Sequence, residues 1–122
     1  MYNQPTTSTY TLRAATISTA ATLQSVIGPR GMQGRLVGIG AVVTTNTTNA
    51  ATLITVGTAA DGDKFGTLSV PIATAGPAAA HNNPTLTPVD ANLLAADTAV
   101  IIATNGGCTA GAADISVTID WF

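Results

Sequence analysis

The chain contains no glutamate, one histidine (His81), one cysteine (Cys108) and only 8% charged residues. Each shortage excludes something. Hydrolytic and proton-transfer sites need acids, bases and nucleophiles in convergent sets, and this chain can hardly assemble one, so no catalytic residue is expected. A zinc site takes three or four nitrogen or sulfur ligands. His81 sits in Ala80-His81-Asn82-Asn83 with no second histidine or cysteine beside it, so it is expected to be an exposed loop residue, and neither a metal nor another cofactor is expected. A single cysteine cannot close an internal disulfide, which fits folding in a reducing cytoplasm. Cys108, in Gly106-Gly107-Cys108-Thr109, reads as an incidental thiol in a turn. The four cations, Arg13, Arg30, Arg35 and Lys64, are scattered apart from Arg30 and Arg35, and the formal net charge is −2. Nucleic acids are bound through clustered lysine and arginine, so no nucleic-acid partner is expected. No run approaches the ~20 apolar residues of a spanning helix, and Met1 to Thr9 lacks the apolar centre of a secretory leader. Neither membrane insertion nor secretion is expected.

Large side chains are also scarce. Hydrophobic residues make up 46% of the 122-residue chain, but aromatics only 4%. A core of Ala, Val, Ile and Thr brings sheets close together, yet each small side chain contributes little at about 25 cal/mol per Å² buried. Part of the stabilising burial is therefore expected at an oligomer interface. The positive mean hydropathy, +0.38, and the charge-poor surface agree with self-association.

What the chain does have is short alternating runs separated by turn residues. Asp114-Ile115-Ser116-Val117-Thr118-Ile119-Asp120-Trp121-Phe122 keeps a period of two, the pattern of a strand with one buried face. Trp121 shares the Ile115, Val117 and Ile119 face and is expected in the core, although an exposed aromatic could stack on a sugar. Phe122 points the other way, toward a subunit interface. Residues 1–8 read as an extended polar arm, followed by one domain over 9–122. Residues 9–19 form a first strand, with Tyr10, Leu12 and Ala14 on one face and a register break before Ile17. Thr22 to Ile27 forms a second, ended by Gly28-Pro29.

Residues 35–58 read as a hairpin with a polar tip at Asn46 to Asn49. In its first strand Gly38 and Gly40 share a face, left open for a neighbouring backbone or sheet or for a bulge. In its second, Thr52, Ile54 and Val56 share a face. Asp61-Gly62-Asp63 is a turn: a Ca²⁺ site wants six to eight oxygens, and the phosphate-loop spacing is spoiled by Asp63 and Lys64. Phe65 to Ile72 is a strand whose Pro71 end belongs on an edge. Ala73 to Ala91 lacks periodicity and reads equally as a partner-contacting loop or a solvated crossover. Val100-Ile101-Ile102 is expected as a central strand buried on both faces. The sum is seven or eight short antiparallel strands, an all-β sandwich or jelly roll.

The run from Leu36-Val37-Gly38-Ile39 through Gly57-Thr58-Ala59-Ala60-Asp61-Gly62-Asp63-Lys64-Phe65-Gly66 resembles small virion proteins of tailed bacteriophages. So does Leu93-Leu94-Ala95-Ala96-Asp97-Thr98, leading into an apolar strand, a Gly-rich turn and a last strand ending in aromatics. The family resembled, over residues 34–122, is that of jelly-roll capsid decoration (cement) proteins. The resemblance implies a homotrimer on the capsid exterior that bridges neighbouring major capsid proteins, in a virion assembled from protein made in the host cytoplasm. On that reading the capsid contact falls to Tyr2, Asn3, Gln4 and Pro5 of the arm and to the loop from Arg30 to Arg35. The oligomer interface falls to Gly38, Gly40 and Phe122. A receptor- or carbohydrate-binding fibre module, using the 73–91 loop, and another head or tail assembly part remain open beside it.

Overall fold

In the computed structural model the residues described are 6–45, 47–71, 80–81, 84–86 and 93–122. Seven strands of five residues or more run through them: β1 (Thr6–Thr16), β2 (Ala21–Val26), β3 (Gly34–Thr45), β4 (Thr52–Gly57), β5 (Gly66–Val70), β8 (Val100–Thr104) and β9 (Ala112–Trp121). Two two-residue strands, β6 (Ala80–His81) and β7 (Thr85–Leu86), lie between β5 and β8. The order is β1-β9-β3-β6 in the first sheet and β2-β8-β4-β5-β7 in the second, with every pairing antiparallel. The first four strands alternate between the sheets, which is the wiring of a jelly-roll sandwich.

That wiring corrects the hairpin expected over 35–58. β3 pairs with β9 and β6, whereas β4 pairs with β5 and β8. The polar segment after β3 carries the chain from one sheet to the other. The alternation within β4 is as expected, with Thr52, Ile54 and Val56 buried. The true hairpin is β4–β5. Its turn contains Asp61-Gly62-Asp63, where the Asp61 carbonyl accepts the N–H of Thr58 (2.8 Å) and of Lys64 (3.3 Å).

Other expectations shift by a few residues. β1 takes in Thr6, Thr7 and Ser8, assigned above to the arm. Tyr10 and Leu12 are half-buried against the core, but Ala14 is not in their row. The register slips between Leu12 and Ala15. Ala14 sits there at φ 48°, with its N–H donating to the Asp114 carboxylate at 2.7 Å. β8 is interior to its sheet, but Ile101 is only half-buried while Val100 and Ile102 are buried. An all-apolar triplet here faces the core on one side only. His81 lies in β6, opposite Ala41, rather than in a loop. The expected structureless run 73–91 thus contains two short strands, and apart from Pro84 the rest of it lies outside the described residues.

The core lies between the inner faces of the two sheets. β9 supplies its spine: Ala113, Ile115, Val117, Ile119 and Trp121 are all 2% exposed or less. Trp121 fits because two glycines make room. A Cβ on Gly28 would lie 2.3 Å from the indole, and one on Gly34 2.7 Å. At the opposite pole a partly buried polar knot closes the sandwich. The Ile17 carbonyl is approached by the hydroxyls of Thr52 (3.0 Å) and Thr104 (3.2 Å), and Thr52 Oγ1 accepts the Gly107 N–H at 3.1 Å. The Asn105 side-chain carbonyl accepts the N–H groups of Leu53 (2.9 Å) and Gly107 (3.0 Å). Buried polar groups are tolerated when bonded in this way.

Candidate functional site

One pole of the sandwich gathers several of the residues singled out from sequence. Thr6, which opens β1, and Gly34, which opens β3, both pair with Trp121 near the end of β9. The Arg30–Arg35 segment, the point where the chain enters β1 and Phe122 therefore lie side by side. Tyr2, Asn3, Gln4 and Pro5 are outside the described residues. Gly38 and Gly40 are not at this pole; they face outward from the middle of the first sheet, opposite Thr118 and Ser116. A register shift between Leu36 and Gly38 marks the bulge that the glycine spacing allows, and a Cβ on Gly38 would meet nothing within 4 Å.

The pole is held by backbone bonds and short turns. Gln33 and Phe122 exchange two backbone hydrogen bonds, at 2.8 and 2.9 Å, and Gly34 and Leu94 two more, at 3.1 and 2.9 Å. Before them the chain turns at Pro29, whose carbonyl accepts the Met32 N–H at 3.1 Å. Gly31 adopts φ 76°, a conformation that favours glycine, and donates its N–H to the Asp97 carboxylate at 3.1 Å. Buried Met32 anchors this loop, leaving Arg30 exposed at its tip.

Asp120 is the polar centre of the pole. It points outward because Trp121 points inward, and its neighbours across both ladders are Thr7 and Arg35. Thr7 Oγ1 donates to one carboxylate oxygen at 2.6 Å and Arg35 donates to the other at 3.0 Å. The Arg35 guanidinium also lies 5.8 Å from the centroid of the Phe122 ring, within cation–π range. These groups, with Thr6 and Trp121, line a cleft of about 380 Å³. Phe122, which lines it, is 42% exposed; Ile27 (65%) and Leu93 (38%), each next in sequence to a residue of this pole (Gly28 and Leu94), are exposed as well.

The Thr7 hydrogen bond, then the Arg35 contact, hold the Asp120 carboxyl below its ordinary value of 3.8. A depressed carboxylate stabilises the fold above its unfolded-state pKa, and the contribution is lost as pH falls through the lowered folded value. Asp120→Asn is therefore expected to flatten the fall of the melting temperature between pH 4 and pH 2, relative to the parent. Thermal unfolding followed across that range checks this.

Asp120 and Thr7 were not found by sequence reasoning, and neither were the exposed Ile27 and Leu93. The available signal was the outward phase of Asp120 in the β9 alternation. Among the described residues, no group of three His, Cys, Asp or Glu could hold a metal ion, and no helix is long and apolar enough to cross a membrane.

Comparison with family models and with curated proteins returns no match. Among solved structures the chain is similar to one in "Cyanophage Pam1 capsid asymmetric unit", at 20% identity and a TM-score of 0.42, covering 97% of this chain and 82% of that one.

Proposed function

We propose that this protein is a structural virion component: a decoration, or cement, protein that binds the outer surface of a phage head and bridges major capsid proteins. The observation that carries the reading is the convergence at one pole. The entry of the N-terminal segment into β1, the Arg30–Arg35 loop and the exposed Phe122 meet there. The pole mixes apolar area with a few charges, as protein–protein contacts do. The resemblance of the 34–122 runs to decoration proteins, the jelly-roll wiring and the low charge agree with it. The protein acts by non-covalent clamping, not by catalysis, and needs no cofactor, nucleic acid or membrane. As a homotrimer it gains avidity, because each modest contact raises the effective concentration of the next. Its place is the capsid exterior, after synthesis in the host cytoplasm.

The test is co-sedimentation of the purified protein with heads of its own virus that lack it. Binding is expected, and deletion of residues 1–5, which leaves β1 whole, is expected to weaken it at least tenfold. Arg30→Ala with Arg35→Ala should weaken it further. Undiminished binding by both variants would remove the pole from the reading. Failure of the parent protein to bind heads, together with a hit on a glycan array, would replace decoration with carbohydrate recognition.

A further inference from the structure

β1 is the outermost strand of the first sheet, and β9 bonds it on one side only. Among the described residues no strand pairs with its other side. In an antiparallel ladder alternate residues direct their N–H and C=O groups to each flank, so half of these groups along β1 face away from the sheet. Proteins blunt such edges with lysine, proline, inward-pointing charge, bulges or short strands. The regular stretch Thr6–Leu12 carries none of these. Pro5 precedes it in sequence, and the slip at Ala14 follows it. The single charge in the strand, Arg13, falls beyond the stretch.

Burial shows the same incompleteness. On the inner face, Ile115, Val117 and Ile119 of β9 are 2% exposed or less, and so is Ile39 of β3. The matching row on β1, Ser8, Tyr10 and Leu12, is only half-buried. The sheet is thus covered up to its last strand and left open there. On the outer face Thr7, Thr9 and Thr11 form an exposed row, with Thr9 and Thr118 hydroxyls 3.2 Å apart.

We propose that the free edge of β1 receives β1 of a second copy of this chain, antiparallel, with Thr9 on the two-fold axis. The regular stretch has its midpoint at Thr9. Antiparallel pairing about that point sets Thr6 opposite the second copy's Leu12, Thr7 opposite its Thr11 and Ser8 opposite its Tyr10. Inner residues then meet inner residues, outer threonines meet outer threonines, and no like charges face each other. The sheets of the two copies become continuous, and the half-buried row gains a neighbour. Such a contact is isologous, so it joins one trimer to the next and does not build the three-fold ring. It goes beyond the decoration reading and its test involves no capsid.

The test uses Thr9→Cys in the full chain under mild oxidation, read on non-reducing gels. Cys108 is buried and stays out of the reaction. Cysteines opposite each other on paired strands meet disulfide geometry. Thr9→Cys is expected to become mostly cross-linked, two chains at a time. Thr11→Cys, about 13 Å from its own counterpart across the axis, is expected to cross-link at least tenfold more slowly. Equal rates, or no cross-link from either, would overturn the proposal. Hydrogen exchange on the parent protein gives a second reading. The outward amides of Thr6–Leu12 should be protected at high protein concentration and exposed on dilution. Thr9→Lys, which sets two like charges together on the axis, should abolish that protection. Fast exchange of those amides at every concentration would overturn it equally.

Discussion

Trp121→Ala is expected to destabilise the fold by about 3–5 kcal/mol, the range for removing a buried tryptophan. The reason for placing it at the top of that range is the site's shape. The indole lies at the junction of both ladders that β9 makes, opposite Thr6 on one side and Gly34 on the other. Gly28 and Gly34 have no side chains with which to collapse into the space. The cavity therefore stays open, and the cost of a cavity grows with the volume left unfilled. Trp121→Phe should cost less. It keeps most of the apolar surface and removes an indole N–H that is buried without a hydrogen-bond partner. Urea unfolding of both variants checks the order. A loss below about 1 kcal/mol for Trp121→Ala would show that the pole relaxes around the missing ring.

Gly106→Ala is expected to cost about 2–4 kcal/mol from two separate effects. Gly106 has φ 65°, which strains a residue bearing a Cβ. That Cβ would also lie 2.3 Å from the Ala20 backbone nitrogen, so main chain must move. The strain is delivered to the polar knot, since Gly106 follows Asn105 and precedes Gly107. Disturbing the buried bonds of Thr52 and Thr104 to the Ile17 carbonyl leaves groups unsatisfied, each worth about 1–3 kcal/mol. Gly62→Ala, with nothing within 4 Å of its added Cβ, is the control and should change stability by less than about 0.5 kcal/mol. Chemical denaturation of the pair separates the effect of position from that of glycine replacement as such.

The parts of the fold legible in the sequence are those written in periodicity. β9 declares its buried face through Ile115, Val117 and Ile119, and the same phase puts Trp121 inside and Asp120 outside. The β4 alternation and the Asp61-Gly62-Asp63 turn are local in the same sense. Alternation cannot say which sheet a strand joins. Asn46 to Asn49 has the chemistry of a turn whether the chain doubles back or crosses to the facing sheet, so β3 and β4 looked like partners. Val100-Ile101-Ile102 misled for a related reason: apolar composition does not tell a core-facing side chain from one half-covered on an outer face.

The candidate site was legible only in pieces. Arg30, Arg35 and Phe122 drew notice singly, but the contacts that make a site of them span long stretches of chain. Asp120 is 113 residues from Thr7 and 85 from Arg35. No local pattern encodes such a pairing. It follows from β9 lying between the first strand and the third.

The placement of β9 also bears on how the chain reaches its native state. β9 follows every other strand of the sandwich in the chain, and it is the strand to which both β1 and β3 bond. A growing chain on the ribosome cannot complete the first sheet, because its central strand does not yet exist. Until then β3 and β1 lack the strand that joins them. Topologies built on such distant pairings fold slowly and leave unpaired edges exposed meanwhile. Synthesis of β9, more than of any earlier strand, is what lets the first sheet be completed.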